Sequence, residues 1–265
     1  MGGRSSVRRR TSIRACLAGA VAALLGPSPA AAGTVHGPIA RLRVEGRWDE
    51  NLIEGGGDGA GLVQPMLGWR LQNPTTELEA SYAADVIGYA DGGLERGGVN
   101  HRLRGVQEHH FDRRTVLLIR EGVERVYDPT TLSRPGVVRA AGTSLYGEGQ
   151  VDLQHRLTAR WTGGLRYRAE IATLDAPNAV DGAVHAPGAW ATRAIGPRDF
   201  VGGSYRLQWF DTFHGGVDAT SHEPMLGWTH LLDRGTRLEA EAGPAFFAQG
   251  GERAVAPVGH LGVVH

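Results

Sequence analysis

Gln64-Pro65-Met66-Leu67-Gly68-Trp69-Arg70-Leu71-Gln72-Asn73-Pro74-Thr75-Thr76-Glu77-Leu78-Glu79-Ala80 reads as two alternating strands joined by a tight turn at Asn73–Thr75. Before the turn, Leu67, Trp69 and Leu71 share one side and Gly68, Arg70 and Gln72 the other. After it, Leu78, Ala80, Tyr82, Ala84 and Val86 alternate with Glu77, Glu79, Ser81 and Asp85. A period of two with one side apolar and the other charged is the signature of a sheet that separates two environments. The unit returns at Glu223–Ala240, again as Pro-Met-Leu-Gly-Trp, with one extra residue in its turn. Pro65 and Pro224 stand 159 positions apart, close to four steps of about 40, the range in which internal repeats define an architecture.

Outward from that stretch the cadence persists. Ala40, Leu42, Val44, Gly46 and Trp48 oppose Arg41, Arg43, Glu45, Arg47 and Asp49. Leu145, Gly147, Gly149, Val151 and Leu153 oppose Glu148, Gln150 and Asp152. Trp161, Gly163, Leu165, Tyr167 and Ala169 oppose Arg160, Arg166, Arg168 and Glu170. Val201, Tyr205, Leu207 and Trp209 oppose Ser204, Arg206 and Gln208, and the last repeat adds Glu239 and Glu241 to the polar side. The stretch near His185–Ile195 is the least regular. Tight turns near 74, 113, 157, 197 and 234 alternate with longer, mostly glycine-bearing breaks at Glu54–Gly59, Asp91–Gly98, Asp128–Gly136, Leu174–Gly182, His214–Asp218 and Gln249–Arg253. The pattern predicts about 12 strands of roughly 10–14 residues, longer than the five or six usual in globular sheets.

Residues 1–32 have the build of a secretory signal peptide: Arg4, Arg8, Arg9, Arg10 and Arg14, an apolar run Ala15–Leu25, and Ala30-Ala31-Ala32 before Gly33. The run is too short for a membrane-spanning helix. The arginines partly match a twin-arginine signal, but the residues after them fit the general export route better. Cleavage leaves a short segment 33–39 and a repetitive body 40–265. The chain has no lysine, and its 28 arginines balance 28 acids. Removing the leader takes five arginines and no acid, for a net charge near −5. No basic run survives, which argues against a nucleic-acid partner. The sole cysteine, Cys16, lies in the leader and lacks a lipoprotein box, so no disulfide supports the exported body.

One face of this sheet carries Ala, Gly, Leu, Val and aromatics, too small and sparse to fill the core of a soluble sandwich. Against lipid such a face suffices, and ring closure satisfies every backbone group. The expected fold is therefore all-β: an antiparallel up-and-down transmembrane β-barrel with short turns at one end and longer loops at the other. A propeller shares the 40-residue spacing but needs four short strands per repeat, where this chain offers two long ones. A soluble sandwich or secreted barrel would need more alternating aliphatics. Trp69, Trp161, Trp190 and Trp228 lie near tight turns, and Trp48 and Trp209 near longer breaks. All six are expected in two interfacial girdles.

These features resemble a family of bacterial outer-membrane β-barrel proteins found beside exopolysaccharide and capsule export systems. The matching stretches are Arg47-Trp48-Asp49-Glu50-Asn51-Leu52, Pro65-Met66-Leu67-Gly68-Trp69 with Thr76-Glu77-Leu78, Gln154-His155-Arg156-Leu157-Thr158-Ala159-Arg160, and Leu232-Asp233-Arg234-Gly235-Thr236-Arg237-Leu238. The resemblance implies an outer-membrane location, a Gram-negative source, contact with outer-membrane lipid and the insertion machinery, and partners among polysaccharide export components. Outer-membrane barrels usually end on an aromatic, whereas this sequence ends on His265. The expectation is a final strand left incomplete by truncation from a larger barrel.

The chemistry expected of the chain is a charged lumen, formed by Arg41, Arg43, Arg47, Glu77, Glu79, Asp85, Glu148, Asp152, Arg160, Arg166, Arg168, Arg206, Glu239 and Glu241. These residues either satisfy one another as ion pairs or line a hydrated channel for polar solutes. Glu108, His109, His110 and Asp112 form the densest histidine-acid group, but neighbouring strand residues point to opposite faces, and no His-x-x-x-His or Cys pair supports a metal. Ser144 and Ser204 are conceivable nucleophiles for a barrel hydrolase of lipid or surface polymer, though nothing in the sequence brings a base to either. The Gly55–Gly57 run lacks the Lys-Ser/Thr and helix of a phosphate loop. The reading is a non-enzymatic, porin-like conduit without cofactor or metal, supporting exopolysaccharide export. A plugged structural barrel and the hydrolase are the alternatives.

Overall fold

A computed structural model of the chain describes residues 33–49, 58–89, 93–126, 144–174, 181–213, 218–233 and 235–264. They form β1 (Val35–Asp49), β2 (Asp58–Gln72), β3 (Thr76–Tyr89), β4 (Gly93–His110), β5 (Thr115–Val126), β6 (Ser144–Arg156), β7 (Trp161–Leu174), β8 (Gly182–Ala194), β9 (Asp199–Thr212), β10 (Ala219–Leu231), β11 (Arg237–Gln249) and β12 (Glu252–Val264). The 12 strands make one antiparallel up-and-down sheet in sequence order. The leader 1–32, the break Asp128–Gly136, Arg234 and His265 lie outside the described residues. Among the described residues, β1 and β12 share no ladder. An even strand number leaves those two edges antiparallel, the sense a closing ladder needs.

Burial is inverted relative to a soluble protein. The buried side chains Ala83, Asp85, Asn100, Glu124, Val126, Ser144, Ala186, Ser221, Glu223, Met225 and Ala245 all fall on the charged side of the sheet by register. The opposite side exposes its aliphatics: Leu226 is 75% and Leu261 73% accessible, and Leu42, Leu67 and Leu165 are open likewise. A concave charged face and a convex apolar one are what a barrel wall needs in lipid, where strands must satisfy every backbone group within the sheet.

The tight turns follow a shared rule. Asn73 Oδ1 accepts from the backbone N–H of Thr75 (2.9 Å) and Thr76 (2.8 Å). Asp112 Oδ1 accepts from Arg114 and Thr115 (2.6 and 2.7 Å), and Asp233 Oδ1 from Gly235 and Thr236 (both 2.8 Å). Thr158 Oγ1 takes the same part with Arg160 and Trp161. A short polar side chain thus closes these four turns by mimicking a backbone carbonyl. The extra residue seen in the second copy proves to be the common form. Phe111 N–H bonds Thr115 O, Ile195 N–H bonds Asp199 O and Leu232 N–H bonds Thr236 O, whereas the opening unit closes one residue shorter, from Asn73 N–H to Thr76 O.

Three boundaries differ from expectation. β1 begins at Val35 and absorbs the supposed separate segment 33–39, because Pro38 still pairs with Trp69 and an edge position asks no N–H of proline. Most of the expected break at Asp91–Gly98 belongs to β4, whose ladder to β3 is irregular between Ile87 and Tyr89. The break at Gln249–Arg253 narrows to a Gly250-Gly251 turn, with φ of 57° and 90°. Both lie in the left-handed region that a two-residue hairpin requires and glycine adopts without strain.

Candidate functional site

On the concave face, strand register assembles carboxylates and guanidiniums into separate clusters. Across β2–β5, Asp85 accepts from Gln64 (2.5 Å) and Arg102 (3.2 Å), while Glu124 accepts from Arg104 (3.2 Å) and forms an ion pair with Arg102, whose Nε stands 2.9 Å away out of hydrogen-bond alignment. Across β5–β7, Asp152 binds Arg166 and accepts from Gln150 (2.5 Å), with Arg120 at 4.0 Å. Across β9–β10, Glu223 holds Arg206 through both Nε (2.9 Å) and a terminal nitrogen, and also accepts from Ser221 (3.0 Å) and Gln208 (3.3 Å). Arg43–Glu45, Arg70–Glu79, Arg237–Glu239 and Arg168–Glu170 add pairs, the last beside Tyr146, whose hydroxyl donates to Glu170 (2.9 Å). Glu124 and Glu223 are only 5% and 6% exposed. Burying a charged group so deeply is costly unless fixed donors surround it.

The expected lumenal residues divide accordingly. Arg41, Arg43, Glu77, Glu79, Asp85, Glu148, Asp152, Arg166, Arg168, Arg206, Glu239 and Glu241 share the concave side by register. Arg47 occupies the same side of β1, and its side chain is not among those described. Arg160 does not belong with them. It sits in the tight turn before β7, where its N–H bonds Thr158 and its carbonyl accepts from Ala194. Arg102, Arg104, Arg120, Glu124 and Glu223 are the residues that sequence reading did not single out. In β5, Arg120 and Glu124 point inward while Glu121 and Arg125 point outward, so charge appears on both sides of the strand and alternation alone leaves it ambiguous.

On the convex face lie Trp69, Trp161, Trp209 and Trp228. Trp161 adjoins its turn, Trp69 and Trp228 stand further into their strands, and Trp209 lies toward the far end of β9. They mark no single ring. Trp48 is on the same side of β1, its side chain not described. Trp190 departs from the expectation outright: it pairs with Gly164 and Ser204 and so faces inward with Arg166 and Arg206. Several polar groups on the convex face are paired. Three hairpins repeat one diagonal contact, Oη to Nδ1, in Tyr82–His101 (2.7 Å), Tyr167–His185 (2.7 Å) and Tyr205–His222 (2.6 Å). Nearer the tight turns, His109 meets Thr76 (2.8 Å), His155 meets Thr115 (2.9 Å) and His230 meets Asp199 (2.8 Å).

These contacts also bear on the other candidate chemistries. His109 faces outward and His110 inward, beside Glu108 (2.8 Å), so the two cannot share an ion. No group of three metal-ligating side chains occurs among the described residues. Ser204 is on the concave face, whereas His185 and His222 on the adjacent strands are on the convex one, so strand alternation separates that hydroxyl from those two histidines.

No protein-family model matches the chain, and no curated protein sequence does. Solved structures do. An outer membrane channel from Pseudomonas putida F1 superposes with a TM-score of 0.50 at 10% identity, over 88% of this chain and 93% of that one. A bacterial polysaccharide outer membrane secretin gives 0.47 at 17% identity, over 85% and 84%. The outer membrane protein OmpT of Vibrio cholerae gives 0.45 at 9%, over 84% and 94%. Together with the apolar convex face, the first likeness identifies the architecture: the chain has the fold of a bacterial outer-membrane β-barrel, apolar on its convex face and with most of its charges on the concave one.

Proposed function

We propose that this protein is a non-enzymatic, porin-like conduit through which polar solutes cross the outer membrane, working beside components that export exopolysaccharide. The observation that carries this reading is the concave face itself. Its charges are spread over successive strands as fixed pairs of both signs, rather than gathered at one point as a catalytic centre would be. Such a wall wets the lumen, and its balanced charge gives no strong preference for anions or cations. Insertion machinery of the outer membrane and the lipid itself are the other partners this reading requires.

Planar-bilayer recording tests it. Protein purified from outer membranes is expected to give discrete conductance steps with weak ion selectivity. A barrel that inserts, resists SDS when unheated and carries no current would establish a structural role instead and overturn the conduit. Hydrolysis of a lipid or surface polymer that disappears on Ser204→Ala would overturn the non-enzymatic reading.

A further inference from the structure

The concave wall is not uniform. Across β2–β7 ion-paired long side chains stand among shorter residues such as Gly68 and Gly122, whereas across β7–β11 one glycine on each strand, Gly164, Gly188, Gly202, Gly227 and Gly243, leaves open wall between the pairs Arg168–Glu170, Arg206–Glu223 and Arg237–Glu239. Trp190 projects from β8 into this open stretch, the one tryptophan on the concave face among the described side chains. Its indole lies against the backbone of Gly164: a Cβ at that position would stand 2.8 Å from both Cε2 and Nε1 of the ring and 2.7 Å from the carbonyl oxygen of Leu153. A side chain at 164 would collide with the ring where it now sits. Beside it is a cavity of about 330 Å³, lined among others by Trp190, Thr192, Ser204, Arg206, Glu239 and Glu241.

The polar groups around that ring are held in place. Arg206 is fixed by Glu223, itself buried and bonded to Ser221 and Gln208. Arg166, which also lines the cavity, is fixed by Asp152. A guanidinium has five N–H donors, so each keeps some for a ligand while its direction is set. Glu239, paired with Arg237, and Glu241 line the cavity as well, so three arginines meet the four carboxylates Asp152, Glu223, Glu239 and Glu241, and the patch has no net positive charge. The volume is at the lower end of the roughly 300–1,000 Å³ of small-molecule sites.

We infer that Trp190 and the glycine-bearing wall around it form a lumenal subsite for a neutral saccharide chain, with one pyranose ring lying on the indole. A pyranose presents an apolar face of C–H groups and a rim of hydroxyls, each both donor and acceptor. An aromatic face with fixed guanidinium, carboxylate and hydroxyl groups at its edge complements both. A patch without net positive charge does not select for uronate or sulfate. The inference deepens the conduit reading and rests on it: a solute in transit needs a surface that holds it weakly enough to let go.

The test is maltohexaose added to single channels of the purified protein in planar bilayers. Transient, concentration-dependent blocks of the ion current are expected. In Trp190→Ala they become about ten-fold weaker, and in Trp190→Phe, which keeps a smaller ring, they persist in part. Unchanged heat-dependent gel mobility shows that each variant still folds. Channels that conduct ions but are never blocked, or are blocked equally in Trp190→Ala, overturn the subsite and leave the conduit standing. Stronger block by an alginate hexamer overturns the neutral assignment. Absence of any current overturns the conduit. In that event a saturable change in tryptophan emission with maltohexaose, lost in Trp190→Phe, still reads the binding site, and its absence removes that as well.

Discussion

At the scale of single residues, the turn carboxylates show how a few atoms set a hairpin. Two backbone donors, first Arg114 and then Thr115, hold the Asp112 carboxyl below its ordinary range, as Gly235 and Thr236 do for Asp233. A depressed carboxylate stabilises the folded form fully above its unfolded value of about 3.9 and loses that contribution as pH falls through the lower folded value. Protection of the Thr115 and Thr236 amides, measured against the exchange rate of an unstructured amide at the same pH, is therefore expected to hold at neutral pH and to fall only in acid below about pH 4. Asp112→Ala should quicken Thr115 at every pH, and an unchanged rate would show that the side chain does not close the turn. The tyrosine–histidine pairs make a second residue-scale prediction. Tyr205→Phe leaves His222 without its partner on the lipid side and is expected to cost about 1–3 kcal/mol, read from reversible urea unfolding in lipid vesicles.

At the scale of the strand, the two faces answer to different solvents, and substitution should expose the difference. Leu226 lies midway along β10 on the convex face. Leu226→Arg is expected to destabilise the inserted protein by roughly 2–4 kcal/mol, as arginine does near a bilayer midplane, again by urea unfolding in vesicles. Thr229→Arg, on the concave side of the same strand, should cost far less. Equal effects would contradict the assigned faces. Strand faces were legible in the sequence wherever one side carried all the charge, as around Leu67–Gln72 and Val201–Trp209. They were not legible in β8, where Ala183, Ala186, Ala189 and Ala191 spread small apolar residues over both sides. There residue type suggested that Trp190 belonged with the outward tryptophans, and only pairing with Gly164 and Ser204 settled its parity.

For the molecule as a whole, the question is how the 12-stranded wall closes. Unpaired N–H and C=O groups along β1 and β12 are costly in lipid, where water cannot satisfy them. The protein in detergent is expected to run at different apparent sizes in SDS before and after boiling, as a closed barrel does. No shift under refolding conditions that restore β-sheet would mean that the edges β1 and β12 need a further partner. The pairing clusters at this scale were only half visible beforehand. Asp85, Asp152 and Arg206 could be placed on the polar side, and Gln150 stands two places from Asp152 on the same strand, but the partners Arg102 and Glu223 come from whatever residue the register sets beside them.

The sequence alone determined that the chain is an antiparallel sheet with a charged face and an apolar one, because a period of two repeated between tight turns allows nothing else. It also determined that the apolar face meets lipid, because that face is too sparse for a core. Tertiary structure decided what depends on parity and neighbours: that Arg160 belongs to a turn, that Trp190 looks inward, and that Arg102 bridges Asp85 and Glu124. The physical reason is that a shift of one residue at a turn or bulge exchanges the two faces of a strand. Pattern fixes the faces only relative to each other, and the ladders to both neighbours fix them absolutely.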